Sequence, residues 1–320
     1  MTIQESFPAS PPTAPVVFII FRRPDTTSKV FEEIRKSKPS KLYVIADGAR
    51  SGHAQEAKLV SNTRSVIDGI DWACDVTKIY SDENLGLRQR ILTGLDAVFS
   101  VEENAIILED DCLPSKSFFT FCSELLLRYK GHKDIALISG SNFAPMSNLK
   151  DDYFFSRSMF IWGWATWAET WHAFRASPQL EEWPAELKTD ISDSFASQIQ
   201  KREFFSFMDI AKNLNTWDIS LAVWIRQFRK ITIIPRVNLI ENIGFGEEAT
   251  HTKFEAFDIQ VKRGDFLQRI NHPDLIEVNS LLERRMWRNK ALKWLTFPIS
   301  HPLDFVTRML KFLNSRKINS

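Results

Sequence analysis

The stretch "AIILEDDCLP", Ala105 to Pro114, places four apolar residues directly before three carboxylates. The apolar run is typical of a buried β-strand, and adjacent acids at its end repel one another and resist desolvation. We therefore expect a positively charged group to bind there. If the strand continues through the acids, Glu109 and Asp111 point to one side and Asp110 to the other, so the three cannot hold one ion equally.

Strands and helices alternate on both sides of this stretch. Apolar runs predict strands at 16–21, 41–48, 76–80, 135–143 and 231–235, and amphipathic or capped segments predict helices from Pro24, at 54–68, 86–99 and 217–228. This order is typical of an α/β domain whose mixed, mostly parallel sheet is flanked by helices. The two halves of the chain are expected to share one sheet. In such sheets ligands bind beyond the carboxyl ends of the strands, where Asp47 and the three acids lie.

Composition indicates a soluble globular protein, with 320 residues, 44% hydrophobic and 25% charged. Three cysteines without metal-ligand spacing favour a reducing compartment, so we expect a cytoplasmic protein. The first 15 residues, a polar, Pro-rich lead that we expect to be disordered, lack the features of a signal peptide. The body has no basic stripe with aromatic platforms, which argues against nucleic-acid binding.

Positive charge is concentrated at the C-terminus. Residues 283–320 contain nine Lys or Arg and two acids, so this segment carries +7 and residues 1–282 carry −6. Apolar positions 303, 306, 309, 310 and 313 form one helical face, which predicts basic amphipathic helices after a body at 16–282. Such helices bind anionic membrane surfaces, and the alternative is that they pack on the body. A peripheral position on the inner face of the plasma membrane follows from the first reading.

Four tryptophans mark the segment "FIWGWATWAETW" at 160–171. The spacing of Trp164, Trp167 and Trp171 predicts one helical face that packs in the core. Trp162 stands before that helix next to a glycine, and is the candidate for a sugar-binding platform.

The acidic stretch and its surroundings resemble a known family. "IILEDDCLPSKSFFTFC" is similar to the Glu-Asp-Asp segment of GT-A fold nucleotide-sugar glycosyltransferases, as a bacterial-type relative of the N-acetylglucosaminyltransferase I group. The resemblance extends over about 16–252 and includes "FIIFRRPDTT", "VIADG", "ISGSNF", "FIWGWATWAETW" and "TWDISLAVWI" in the same order. It implies a Rossmann-like GT-A domain, with a nucleotide-binding half at about 16–112 and an acceptor half at about 113–282.

The resemblance also implies roles for individual residues. Asp111 would bind Mn²⁺ or Mg²⁺, with His251 as a second candidate ligand, and Asp218 would take the proton from the acceptor hydroxyl. Asp110 would lie by the ribose, Glu109 by the donor sugar and Asp47 by the uracil base. The remaining donor-binding candidates are Arg23, Arg88 and Trp162. For each of these residues a structural explanation, such as a helix cap, a turn or a surface charge, stays open.

The expected function is metal-dependent, inverting transfer of a hexosyl or N-acetylhexosaminyl group from a nucleotide-diphosphate donor, expected to be a UDP-sugar, to a glycan or lipid-linked glycan. The first alternative is a sugar-phosphate nucleotidyltransferase, which also needs strand-end acids and a metal. That alternative would favour a Gly-rich phosphate loop after the first strand, and "FRRPDTT" has arginines but no glycine. The second alternative is a membrane-peripheral glycan-binding protein without catalysis. "NLIENIGFGEEATHT" predicts a glycine-containing loop that closes over the donor.

Overall fold

An eight-stranded mixed sheet organises the part of the chain that the structure describes. The computed structural model describes residues 13–143, 145, 149–177, 183–184, 186–211, 216–244, 262–266 and 269–300. The sheet contains β1 (Val16–Ile20), β2 (Lys41–Ala46), β3 (Asp75–Tyr80), β4 (Asn104–Glu109), β6 (Ile135–Ser139), β7 (Tyr153–Ser156), β8 (Trp164–Trp167) and β9 (Ile231–Pro235). A separate antiparallel pair is formed by β5 (Cys112–Pro114) and β10 (Ile240–Asn242).

The strand order is β3-β2-β1-β4-β8-β6-β9-β7. The pairs β1–β2, β2–β3, β1–β4 and β6–β9 are parallel, whereas β8 is antiparallel to both β4 and β6, and β7 is antiparallel to β9. Both halves of the chain contribute strands to this sheet. The predicted mixed, mostly parallel α/β sheet is therefore confirmed.

Helices cover both faces of the sheet. They are α1 (Pro24–Ser37), α2 (Ala54–Ser65), α3 (Leu87–Phe99), α4 (Lys116–Arg128), α5 (Ala168–Arg175), α6 (Leu187–Asp190), α7 (Gln198–Ala211), α8 (Asp218–Gln227) and α9 (Ser280–Ser300). One core layer joins α1 and α4 to one face, and the other joins α3, α5 and α8 to the opposite face. Because the central strands are buried on both faces, they have the continuous apolar sequences that the prediction relied on.

The tryptophan segment differs from the prediction. Trp164 and Trp167 lie in β8, and the helix begins only at Ala168. Residues three apart in a strand face opposite sides, so Trp164 packs in the layer with α3 and α8 while Trp167 packs in the layer with α4. Trp171 lies in α5 and is buried with Trp164. The predicted helical face is wrong, although all three rings belong to the core as expected.

The last described helix, α9, begins by packing on the body. Met286 and Trp287 are buried against Phe154 of β7 and Ile234 of β9. Glu283 of the same helix is buried and lies 3.7 Å from the guanidinium of Arg226 in α8. The predicted boundary at 282 thus falls inside α9.

The apolar positions 303–313 that suggested membrane binding lie outside the described residues, as do residues 1–12. Within the described ranges, no helix combines the length and apolar character needed to cross a membrane.

Candidate functional site

The three acids lie where parallel strands end together. In the register of the sheet Ile19 of β1 pairs with Glu109 of β4, and Ile20 pairs with Ala46 of β2. The residues that follow these strands, namely the turn 21–23, Asp47 and the acids, therefore meet at one edge, as the sequence predicted. Strand β4 ends at Glu109, and Asp110 and Asp111 form a turn into β5. The predicted strand alternation stops at Glu109 for that reason.

Asp110 is a buried acid. The residue is 8% exposed, and its carboxylate accepts a 3.1 Å hydrogen bond from the backbone N–H of Phe21. The pKa of Asp110 is raised from an ordinary 3.8 to about 7, first by burial and then by the charge of Asp111, while Arg23 opposes the shift. The environment therefore disfavours a second negative charge beside Asp111 unless a cation is present.

Glu109 is under the same constraint. Burial raises the pKa of its carboxyl group, and the charges of Asp111, Asp110 and Asp218 add to the effect. The contribution of Asp218 places the start of α8 close enough to the end of β4 for its charge to act on Glu109. Four acids from two distant parts of the sequence thus share one negative region.

Both carboxylate oxygens of Asp111 have polar neighbours. One carboxylate oxygen, Oδ2, accepts a 2.7 Å hydrogen bond from Nη1 of Arg23, which also lies 4.0 Å from Asp110. The other oxygen, Oδ1, lies 3.5 Å from both the amide nitrogen of Asn242 and the thiol of Cys112. Strand pairing of β5 with β10 brings Asn242 opposite Cys112 and so delivers this amide.

Gly244 approaches Asp111 more closely than any side chain would allow. A Cβ atom at this position would lie 2.2 Å from Oδ2 of Asp111. The oxygen of Asn242 accepts a 2.8 Å hydrogen bond from the Gly244 N–H, which fixes the approach. The sequence singled out Gly244 for loop flexibility, whereas its described role is to leave room for the carboxylate.

Asp47 holds the turn before α3. Its carboxylate accepts hydrogen bonds from the N–H groups of Gly48, Leu85 and Gly86, at 3.1, 2.9 and 3.0 Å. This arrangement fixes the position at which α3 starts. These hydrogen bonds give Asp47 a structural role, whereas the family resemblance placed it by the uracil base.

Two arginines of α3 differ in their surroundings. Arg88 is partly exposed in the first turn of the helix. Arg90 is 7% exposed, its Nε has no hydrogen-bond partner, and burial lowers its pKa while the charge of Asp47 raises it. Arg90 is thus a buried cation at this edge. Its burial could not be predicted from the polar residues around it at the start of the helix.

The remaining predicted residues come from the second half of the chain. Asp218 is the first residue of α8 rather than its N-cap, and the hydroxyl of Thr216 donates to its carboxylate. Trp162 is partly exposed, and its ring lies 4.9 Å from that of Phe143 in an edge-to-face contact. His251 lies outside the described residues, as does the part of the predicted closing loop after Gly244.

Asn242 was missed by the sequence reading. The only local signal is its place two residues before a glycine, and the contact that matters spans 131 positions of sequence. Nothing short of the pairing between β5 and β10 identifies it.

The cluster fits a cation held by few protein ligands. No three His, Cys, Asp or Glu side chains among the described residues are arranged so that they could hold a metal ion. Mg²⁺ and Mn²⁺ nevertheless bind commonly through one or two carboxylates together with substrate phosphates and water. Asp111 offers such a carboxylate, and burial together with the neighbouring acids raises the pKa values of Glu109 and Asp110 beside it.

No family model and no curated protein sequence matches the chain. Solved structures resemble it in fold. A cytidylyltransferase from Leptospira borgpetersenii is 13% identical with a TM-score of 0.32, and the match covers 55% of this chain and 67% of that one. Apo UDP-glucose pyrophosphorylase is 10% identical with a TM-score of 0.35, and the match covers 71% and 93%. A UDP-glucose complex of UDP-glucose pyrophosphorylase is 10% identical, with a TM-score of 0.34 and coverage of 69% and 90%.

These matches correct the functional prediction. The matched structures are named as a cytidylyltransferase and UDP-glucose pyrophosphorylases, so they do not bear out the predicted glycosyl transfer. They agree better with the nucleotidyl-transfer alternative. Because the similarity is remote, the reaction has to be argued from the residues of this chain.

Proposed function

We propose that this protein binds a nucleotide with a divalent cation at the Glu109–Asp111 turn and transfers the nucleotidyl group to a sugar phosphate. The observation that supports the proposal best is the group of four acids at this edge. Glu109, Asp110, Asp111 and Asp218 lie in one region, and the arginine that contacts the turn is Arg23. A divalent cation would reduce the repulsion among these acids and would at the same time bind the nucleotide phosphates.

Asp111 is proposed as the carboxylate that holds the cation, with His251 as a further ligand. When bound, the cation neutralises charge on the phosphate oxygens and orients them. Asp111 is suited to this task because Asn242 and Cys112 approach one of its oxygens, and Gly244, which packs against the other, carries no side chain that would block it. These contacts fix the carboxylate before the ligand arrives.

In the proposed reaction an oxygen of the sugar phosphate attacks the α-phosphorus of a nucleoside triphosphate. A new phosphorus–oxygen bond forms, the bond to the β-phosphate breaks, and pyrophosphate leaves with the bonding electrons. A phosphate monoester has a second pKa of about 6 and is already ionised near neutral pH, so the attack needs no protein base. Positioning and charge neutralisation then supply the catalysis.

This reaction changes the role of Asp218. Its predicted function, proton removal from a hydroxyl acceptor, is not needed for a phosphate nucleophile. We assign it instead to hydrogen bonds from sugar hydroxyl groups, together with Glu109, whose pKa its charge helps to raise. Trp162, partly exposed next to Gly163, is proposed as the apolar platform for the sugar ring.

The phosphates are proposed to lie between the turn 21–23 and the start of α3. That turn lacks the glycines of a backbone phosphate cradle, so guanidinium groups would take over the task. Arg23 and Arg88 are the candidates, and the N–H groups of the first turn of α3 add to the attraction. Asp47 contributes by holding the turn from which α3 begins.

Purified protein incubated with Mg²⁺ or Mn²⁺, each of the common nucleoside triphosphates and a panel of sugar 1-phosphates tests the proposal. Pyrophosphate release that requires both substrates is expected with one nucleotide, and Asp111→Asn is expected to abolish it. Asp134→Asn is the matched control. Asp134 is an exposed acid that lies directly before β6 and does not belong to the cluster. Absence of pyrophosphate with every combination, or equal rates for the two variants, would contradict the proposal.

A further inference from the structure

Arg23 occupies the carboxylate oxygen of Asp111 that faces Gly244. Its Nη1 is 2.7 Å from Oδ2 of Asp111, the oxygen that a Cβ at Gly244 would approach to 2.2 Å. The partners of the opposite oxygen stand at 3.5 Å, which is at the limit of a hydrogen bond. Arg23 is therefore the strongest polar contact of this carboxylate.

The backbone of Arg23 is fixed while its side chain reaches the surface. The residue lies directly before α1, and its carbonyl accepts a 3.0 Å hydrogen bond from the N–H of Thr27. Pro24 begins the helix and restricts the backbone at this point. The side chains of Arg23 and Asp111 are 17% and 18% exposed, so the guanidinium can leave the carboxylate by rotating about side-chain bonds alone.

A cation on Asp111 and a guanidinium on the same oxygen exclude each other. Both need the lone pairs of Oδ2, and two positive charges within a few ångströms repel. A nucleotide phosphate offers Arg23 a bidentate partner at the same edge once it has left Asp111. Each of the two ligands thus removes an obstacle to the other.

We infer that Arg23 is an exchangeable internal counter-ion, which neutralises Asp111 in the free protein and moves to a nucleotide phosphate when a divalent cation takes its place. This inference rests on the proposed function and adds that the cation and the nucleotide depend on each other for tight binding. The cation alone binds weakly because it has to displace Arg23, and the nucleotide alone binds weakly because Arg23 is engaged. Together they bind with positive coupling, which by linkage is equal in both directions.

Arg23→Met removes the charge while keeping a side chain of similar length. Without nucleotide, Mn²⁺ is expected to bind about tenfold more tightly to this variant, an effect within the usual range of coupling between sites. The loss of the paramagnetic resonance signal of free Mn²⁺ measures this binding. Nucleotide binding at saturating Mn²⁺, followed by titration calorimetry, is expected to become about tenfold weaker in the same variant. Arg23→Lys should restore both values towards the wild type, because it restores the charge.

Arg22→Met is the matched control. Arg22 is the neighbouring residue, but its guanidinium pairs with Glu56, which Arg50 also contacts. It should leave both affinities unchanged.

The opposite signs of the two effects decide the inference. If Arg23→Met weakens Mn²⁺ binding or leaves it equal to that of Arg22→Met, while the wild type still binds Mn²⁺ and nucleotide, the exchange is wrong and the proposed function stands. If the wild type binds neither ligand and Arg23→Met does not uncover Mn²⁺ binding, both are overturned. Tighter Mn²⁺ binding with unchanged nucleotide affinity would also refute the exchange, because Arg23 would then have no phosphate partner.

Discussion

Replacing Asp110 by asparagine should stabilise the ligand-free protein at neutral and alkaline pH. The pKa of Asp110 is raised in the folded state, so the folded protein holds its proton to higher pH than the unfolded chain does. Between the two pKa values the folded state binds more protons, and the free energy of unfolding therefore falls as the pH rises. Asparagine carries no ionisable proton, and its amide oxygen can still accept the N–H of Phe21 that Asp110 accepts at 3.1 Å.

The size of the effect follows from the pKa shift from 3.8 to about 7. At 1.36 kcal/mol for each pKa unit, ionising Asp110 in the folded state costs about 4 kcal/mol once the pH exceeds 7, and relaxation of the neighbours lowers this to about 2 to 4. The gain should be near zero at pH 3.5 and less than half its maximum at pH 5. The unfolding entropy expected for 320 residues converts this gain at pH 8 into a rise in melting temperature of roughly 3 to 6 °C.

Thermal unfolding followed by circular dichroism from pH 5 to 8, in EDTA, measures this gain. The exposed Asp134→Asn variant controls for the loss of one negative charge. A gain for Asp110→Asn that is the same at pH 5 and pH 8, or a loss at pH 8, would refute the reasoning. Because Asp110 belongs to the turn at which the nucleotide is proposed to bind, the stabilised variant should also bind nucleotide more weakly in the presence of Mn²⁺.

Three further variants test other parts of the structure. Glu283→Gln leaves the buried Arg226, which is 1% exposed, without its counter-charge. Urea unfolding should show that the free energy of unfolding falls by about 3 kcal/mol. Adding Arg226→Met to the same chain should restore most of this loss. A loss below about 0.5 kcal/mol would contradict the role of this ion pair in holding α9. Gly244→Ala brings a Cβ against Asp111 and should weaken Mn²⁺–nucleotide binding about tenfold or more. Gly264→Ala is its control, because a Cβ at that position meets no atom within 3.4 Å, and it should not weaken binding. Equal effects of the two variants in calorimetry would refute the packing argument. Two arginines lower the pKa of Glu56 to about 2, so its ionised form stabilises the fold above about pH 4.5 and the benefit is lost as the pH falls towards 2. Glu56→Gln should cost about 2 kcal/mol at pH 7 and little at pH 2.5 in denaturation measurements, and a cost independent of pH would count against it.

Local sequence was sufficient wherever an element's character depends on its own residues. The apolar runs of β1, β2 and β4 predict buried parallel strands because both faces of those strands are covered, so no alternation obscures the signal. Strand ends in such a sheet meet at one edge, and for that reason the sequence could place Asp47 beside the acidic turn before any contact was known.

Elements that depend on distant partners could not be predicted in this way. Trp164 and Trp167 stand three residues apart, which suits a helix, yet antiparallel pairing with β4 makes this segment a strand. Asn242 reaches Asp111 only because β10 pairs with β5. The burial of Arg90 likewise follows from how α3 packs on β2.

The choice of reaction rests on which bond of a nucleotide sugar the protein breaks. Incubating the protein with Mg²⁺, pyrophosphate and a panel of nucleotide-diphosphate sugars, and separating the products by anion exchange, measures this directly. Nucleotidyl transfer run in reverse predicts a nucleoside triphosphate and a sugar 1-phosphate, formed only when pyrophosphate is present and lost in Asp111→Asn. Release of a nucleoside diphosphate without pyrophosphate, which requires cleavage between the sugar and its phosphate, would contradict the proposed function.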